Sequence, residues 1–101
     1  MVRWTRCARI KYGAFVQAVQ WAKEITKYAN EKYKIQLSVY MDSFGDFGTI
    51  RWFCDYADLA TMEKVGRQLF ADAEYLQKVN KGADWLIPGS VVDTVMRAMA
   101  V

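Results

Sequence analysis

Arg51 and Asp55 stand four positions apart in the segment Thr49–Tyr56, where the apolar residues alternate as Ile50, Trp52, Cys54 and Tyr56. In an extended chain this alternation places Arg51, Phe53 and Asp55 together on the opposite face. The same reading puts Gln36, Ser38 and Tyr40 on one face of Ile35–Asp42, and Thr5, Cys7 and Arg9 on one face of Val2–Lys11. In Ser90–Met99 it groups Val91, Asp93, Val95, Arg97 and Met99. Gathered on one sheet, such groups could hold a developing enolate or carboxylate on an arginine while Tyr40 or an aspartate moves the proton. A carboxylate beside an arginine stays ionised and is a weak base. A structural Arg51–Asp55 ion pair is therefore the competing reading. The candidate ligand-lining residues are Cys7, Arg9, Ser38, Tyr40, Arg51, Phe53, Asp55, Asp93 and Arg97.

The inventory excludes other chemistry. The chain has no histidine, so it has neither a histidine general base nor a histidine ligand for haem. Its two cysteines, Cys7 and Cys54, are far apart and form no C-x-x-C, which argues against a zinc or iron–sulfur site. Both read as small core residues, and no metal or cofactor is expected. No phosphate-binding glycine loop, nucleophile elbow or calcium loop is found. Trp4, Trp21, Trp52 and Trp85 read as core or interface packing. Met62, Met96 and Met99 read as gap-fillers.

The elements that must position these residues follow from the change of period along the chain. Val2–Lys11 alternates as a strand, although Arg6 interrupts its apolar parity. After Tyr12-Gly13, with Gly13 as cap, Phe15, Val19, Ala22, Ile25, Ala29 and Tyr33 recur at helical spacing and form the core-facing stripe of a helix over residues 14–33. A strand over Ile35–Asp42 and one over Thr49–Tyr56 flank the glycine-containing loop 43–48, which predicts a hairpin. Asp58 caps a helix with Leu59, Met62, Val65 and Leu69 inward, and a second helical piece spans Ala73–Asn80 with Tyr75, Leu76 and Val79 inward. Pro88-Gly89 ends the helical region. A helix competes for Ser90–Met99, but the preceding turn and the repeated valines favour a last strand.

A chain of 101 residues is one domain, residues 1–101. The order βαββαβ predicts an α+β ferredoxin-like fold, a four-stranded antiparallel sheet with its helices on one face. Apolar residues make up 53% of the chain and aromatics 15%, which is rich for a small monomer and points to an interface. The net charge is +3, with eight Lys/Arg against two Glu in residues 1–37 and six against nine acids in residues 38–101. The fold interleaves these halves, so an ordinary solvated surface is expected. No apolar run approaches the ~18 residues of a membrane span, and no signal peptide fits the first residues. A cytoplasmic protein without membrane contact is the expectation.

The sheet's second face carries Tyr40, Phe53, Val91, Val95 and Met99 among arginines and aspartates. Full exposure would waste the apolar groups, and a dry core would leave the charges at a cost of several kcal/mol each. The mixture suits a homodimer packed sheet against sheet around a partly polar space. In that space Phe53 and Tyr40 would form a ring-stacking wall, and Arg9, Arg51 or Arg97 would supply counter-charge to a small, partly apolar anionic or aromatic molecule.

These residues resemble a known group. The stretches Asp46-Phe47-Gly48-Thr49-Ile50-Arg51-Trp52-Phe53, Asp55-Tyr56-Ala57-Asp58-Leu59-Ala60, Asp72-Ala73-Glu74-Tyr75 and Leu86-Ile87-Pro88-Gly89-Ser90, with the helix opening Gly13-Ala14-Phe15-Val16-Gln17-Ala18, are similar to dimeric α+β barrel proteins, most nearly NIPSNAP-like or stress-responsive barrel domains. The resemblance implies two protomers whose sheets face each other around a shared interior, which in several relatives binds small apolar or aromatic molecules. It also implies a catalytic alternative, since cofactor-free monooxygenases, haem-degrading enzymes and dehydratases or isomerases share the fold. A third class, the RNA-recognition motif, has the same element order. The third strand here lacks its alternating glycine–aromatic signature, however, and the first strand offers no aromatic on the open face, so no nucleic-acid partner is expected.

Overall fold

The computed structural model describes residues 1–100. The elements in chain order are β1 (Val2–Arg9), α1 (Phe15–Tyr33), β2 (Ser38–Met41), β3 (Thr49–Tyr56), α2 (Leu59–Phe70), α3 (Ala73–Asn80), a 3-10 turn (Lys81–Asp84) and β4 (Val92–Arg97). The strands form one antiparallel sheet in the order β2-β3-β1-β4. This is the α+β ferredoxin-like architecture expected, with the helices packed on one face.

That face is apolar because period-two alternation in β1 and β3 puts Ala8, Ile50 and Trp52 toward α1, where Ala18, Trp21, Ala22 and Ile25 meet them. Ala22, Ile25 and Ala29 of the expected stripe are buried, joined by Ala18 and Trp21. Phe15 is not in the core. It is half-exposed and stacks on Phe47 of the hairpin loop, with ring centroids 5.7 Å apart. Leu59 is likewise exposed, and Val65 is the buried residue of α2. Cys54 is a buried core residue, as expected, whereas Cys7 is only half-buried.

Side-chain contacts with the backbone set several boundaries. Asp58 accepts from the Thr61 amide at 2.8 Å and Asp72 from the Tyr75 amide at 3.1 Å, which starts α2 and α3 where the capping residues stand. The helix before them begins at Phe15 with Ala14 as cap rather than Gly13. β2 begins three residues later than its alternation suggests. Lys34 adopts a left-handed conformation (φ 54°) at the end of α1. The Asn30 side chain then donates to the Leu37 carbonyl at 2.9 Å and accepts from its amide at 2.7 Å, satisfying that backbone outside the ladder.

The helical layer is locked by a buried carboxylate. Asp72 accepts from Tyr33 Oη at 2.7 Å, Tyr28 Oη at 2.9 Å and Lys32 Nζ at 2.9 Å, joining the end of α1 to the α2–α3 corner. These bonds, that from Tyr33 foremost, hold the Asp72 carboxyl far below the usual carboxylate range. A carboxyl depressed in the folded state stabilises fully above its unfolded pKa of about 3.9, and the contribution is lost as pH falls through the folded value. Asp72→Asn keeps the cap but removes the charge. Urea unfolding midpoints should therefore fall at pH 7, and the further drop between pH 5 and pH 2.5 should be smaller than in the native protein. An unchanged pH dependence would contradict this role.

Candidate functional site

The ladder register decides which expected site residues meet. Cys7 faces Arg51, Arg9 faces Thr49, and Tyr40 faces Arg51 across the strands. Ser38 and Phe53 are likewise paired. Cys7, Arg9, Ser38, Tyr40, Arg51, Phe53 and Asp55 thus share the open face. Asp93 and Arg97 do not. They pair with Arg6 and Val2, whose side chains point to the helical side. Their strand carries apolar residues on both parities, so alternation could not orient it. Val92, Thr94 and Met96 are the residues β4 shows to the open face.

On that face the charges are already matched. Arg51 is not paired with Asp55. Its Nε donates to Asp42 Oδ1 at 2.8 Å and its Nη2 to Asp42 Oδ2 at 3.1 Å. Arg3 makes the equivalent two-pronged contact with Asp55 at 2.7 and 3.0 Å, and Arg9 lies 3.7 Å from Asp46. The donated bonds lower the carboxyl pKa of both Asp42 and Asp55. Such carboxylates stay ionised and make poor general bases. Tyr40 meets Phe53 edge-on at 5.5 Å, and the Arg3 guanidinium covers the Phe53 ring at 5.6 Å. Arg3, Gln36, Ser38, Tyr40, Phe53 and Asp55 line a largely polar depression of about 370 Å³.

The other face holds an apolar cavity of about 300 Å³ between the sheet, α1, α3 and the Gly82–Val91 segment. Trp4, Trp21 and Trp52 line it with Tyr75, and Arg6 is its cationic group. The Trp21 indole meets Trp52 edge-on at 5.9 Å and donates to the Lys78 carbonyl at 2.7 Å, while the Trp52 indole donates to Thr26 at 3.1 Å. Arg6 is fixed from two sides. Its Nε and Nη2 donate to Asp93 at 2.6 and 2.8 Å, and its guanidinium lies 5.3 Å from the Trp4 ring. The bond to Asp93 outweighs burial and raises the Arg6 pKa further. Burial raises that of Tyr75, which keeps its phenol protonated and able to donate.

One end of the cavity is closed by the turn after the 3-10 segment. Lys11 donates to the Trp85 carbonyl and Ile87 to the Arg9 carbonyl, both at 2.8 Å, and Ser90 Oγ accepts from the Arg9 amide at 3.0 Å. These bonds strap Trp85–Ser90 across the end of β1. Among the described residues no group of three or more His, Cys, Asp or Glu is placed to hold a metal ion.

Arg6, Trp4 and Tyr75 were not among the expected ligand-lining residues. The signal for Arg6 was its position on the apolar parity of β1, where a cation is out of place unless paired.

No protein-family model matches the chain, and no curated protein matches it. Solved structures do share its fold. An uncharacterised NIPSNAP domain protein from Burkholderia xenovorans superimposes with a TM-score of 0.82 at 15% identity, over 99% of this chain and 96% of that one. A NIPSNAP family protein from Agrobacterium tumefaciens gives 0.81 at 13% identity, over 97% and 92%. An antibiotic biosynthesis monooxygenase gives 0.76 at 14% identity, over 99% and 100%. The chain therefore has the ferredoxin-like α+β fold of NIPSNAP-like barrel domains, in agreement with the resemblance read from its sequence.

Gly82 is the position on which the cavity wall depends. A Cβ there would overlap the six-membered ring of Trp21. Gly82→Ala should destabilise the fold by about 1–3 kcal/mol through overpacking and displace Trp21, seen as a lowered urea midpoint with a shifted tryptophan emission maximum. Unchanged stability and emission would contradict this packing.

Proposed function

We propose that the protein is a homodimer packed through its open sheet faces, each protomer binding a small, largely aromatic molecule in the cavity beneath its own sheet. The single observation that carries the binding reading is the contrast between the two faces. Arginines on both faces are paired with aspartates, but the open face offers only a largely polar depression, whereas the helical side keeps a space lined by three tryptophans and Tyr75. Concave, mainly apolar spaces of roughly 300–1,000 Å³ with a few fixed polar groups are what small-molecule sites look like. This moves the ligand from the space between two sheets to the space under each.

The dimer reading rests on the open face. Tyr40, Val92 and Met96 are 60%, 55% and 45% exposed there, beside ion pairs that need no further partner. A second copy would cover the apolar groups without stranding a charge. Among the described residues no helix is long and apolar enough to cross a membrane, and a cytoplasmic setting belongs to the same proposal.

A catalytic reading comes second, favoured by the fold shared with the antibiotic biosynthesis monooxygenase. Arg6 would polarise a substrate carbonyl in the cavity and the protonated Tyr75 would donate to the same oxygen. Turnover that survives Arg6→Met unchanged would reject those roles.

Native mass spectrometry at low micromolar concentration tests the main proposal. A mass of two chains is expected, with retained small molecules released together on unfolding. Val92→Glu with Met96→Glu should give the single-chain mass while leaving far-ultraviolet circular dichroism unchanged. A native protein of single-chain mass would overturn the dimer.

A further inference from the structure

The cavity continues beyond Arg6. A second, mainly apolar space of about 390 Å³ runs toward α2 and is lined by Ile35, Tyr56, Met62, Leu69 and Phe70, with Glu63 as its one carboxylate. Trp4, Arg6, Leu37, Tyr75 and Val79 border both spaces. They form a waist between two apolar lobes, and Arg6 is the charged group there. Burial, with a lesser contribution from Cys54, raises the Tyr56 pKa, so its phenol stays neutral. Asp93 occupies Nε and Nη2 of Arg6, and among the described residues Nη1 has no protein acceptor. The waist therefore presents donors whose charge is already balanced.

Resting on the reading that this cavity binds a ligand, we propose that the two lobes form one site for a neutral molecule with two apolar arms joined at a carbonyl-type oxygen, which accepts from Arg6 at the waist. A ligand ending in a carboxylate fits poorly. Its apolar body would fill one lobe, and its charge would have to displace Asp93 or sit against it. A neutral carbonyl needs one donor and leaves the Arg6–Asp93 pair intact, and each arm then buries its surface in a lobe.

Four probes separate the elements of this proposal by calorimetry on the full chain. Benzophenone has two arms and a central carbonyl, acetophenone one arm and the carbonyl, diphenylmethane two arms without it, and 4-phenylbenzoate two rings ending in an anion. Benzophenone is expected to bind tightest, about tenfold or more above each of the others, or about 1.4 kcal/mol. On irradiation it should label waist residues, Leu37, Tyr75 or Val79. Arg6→Met, checked for folding by circular dichroism, should bring benzophenone down to the affinity of diphenylmethane. If acetophenone binds as well as benzophenone, the two-armed site is wrong and the cavity reading survives. If 4-phenylbenzoate binds best, the neutral ligand is wrong. If no probe binds, the cavity reading fails too.

Discussion

The Trp21 side chain is where the layers of this domain meet. Its indole N–H is satisfied by the Lys78 carbonyl of α3, its ring edge meets Trp52 of the sheet, and its six-membered ring takes the space that a Cβ on residue 82 would need. One side chain thus ties α1, α3, the 3-10 turn and β3 together. A buried indole needs a partner for its N–H, and a carbonyl near a helix end is a natural acceptor. Beside this indole Ala18 and Ala22 let α1 pack closely with Ala8 and Ile50 in one core, and the cavity lies alongside, lined by Trp4, Trp21 and Trp52.

β4 belongs to both faces. Its Asp93 holds Arg6 at the cavity waist, while Val92, Thr94 and Met96 point to the open side. The exposed apolar residues that β4 shows to the open side are surface that a partner can cover. In the proposed dimer that partner covers one face while the cavity uses the other. The open-face ion pairs fit this division, since Arg3–Asp55 and Arg51–Asp42 neutralise each other within one protomer and leave a surface that a second copy can meet without unpaired charge.

Much of this was legible in the sequence, and the failures have identifiable causes. β3 and α3 have the expected bounds because strict alternation marks the one and the Asp72 cap the other. The open-face parity of β1 was readable although Arg6 interrupted it. The same arginine was the trace of the cavity, since a cation on a core-facing parity requires a partner, here Asp93, 87 positions away. That partner could not be read locally, because β4 alternates between two sets that both contain apolar residues. The late start of β2 depends on the Asn30 side chain copying a strand partner for Leu37, which no periodicity records. The cavity itself depends on an absent Cβ at Gly82, a feature visible only once Trp21 is seen above it.

The central claim is that ligands bind beneath the sheet and not on its open face. Its most direct test is a proton–nitrogen correlation spectrum of the indole and backbone N–H groups during titration with a small aromatic probe, 1-naphthol. The expected result is saturable movement of the Trp4, Trp21 and Trp52 indole signals, with Trp85, which lies outside the cavity wall, moving least. Movement confined to the backbone amides around Tyr40 and Phe53, with the indole signals still, would contradict it.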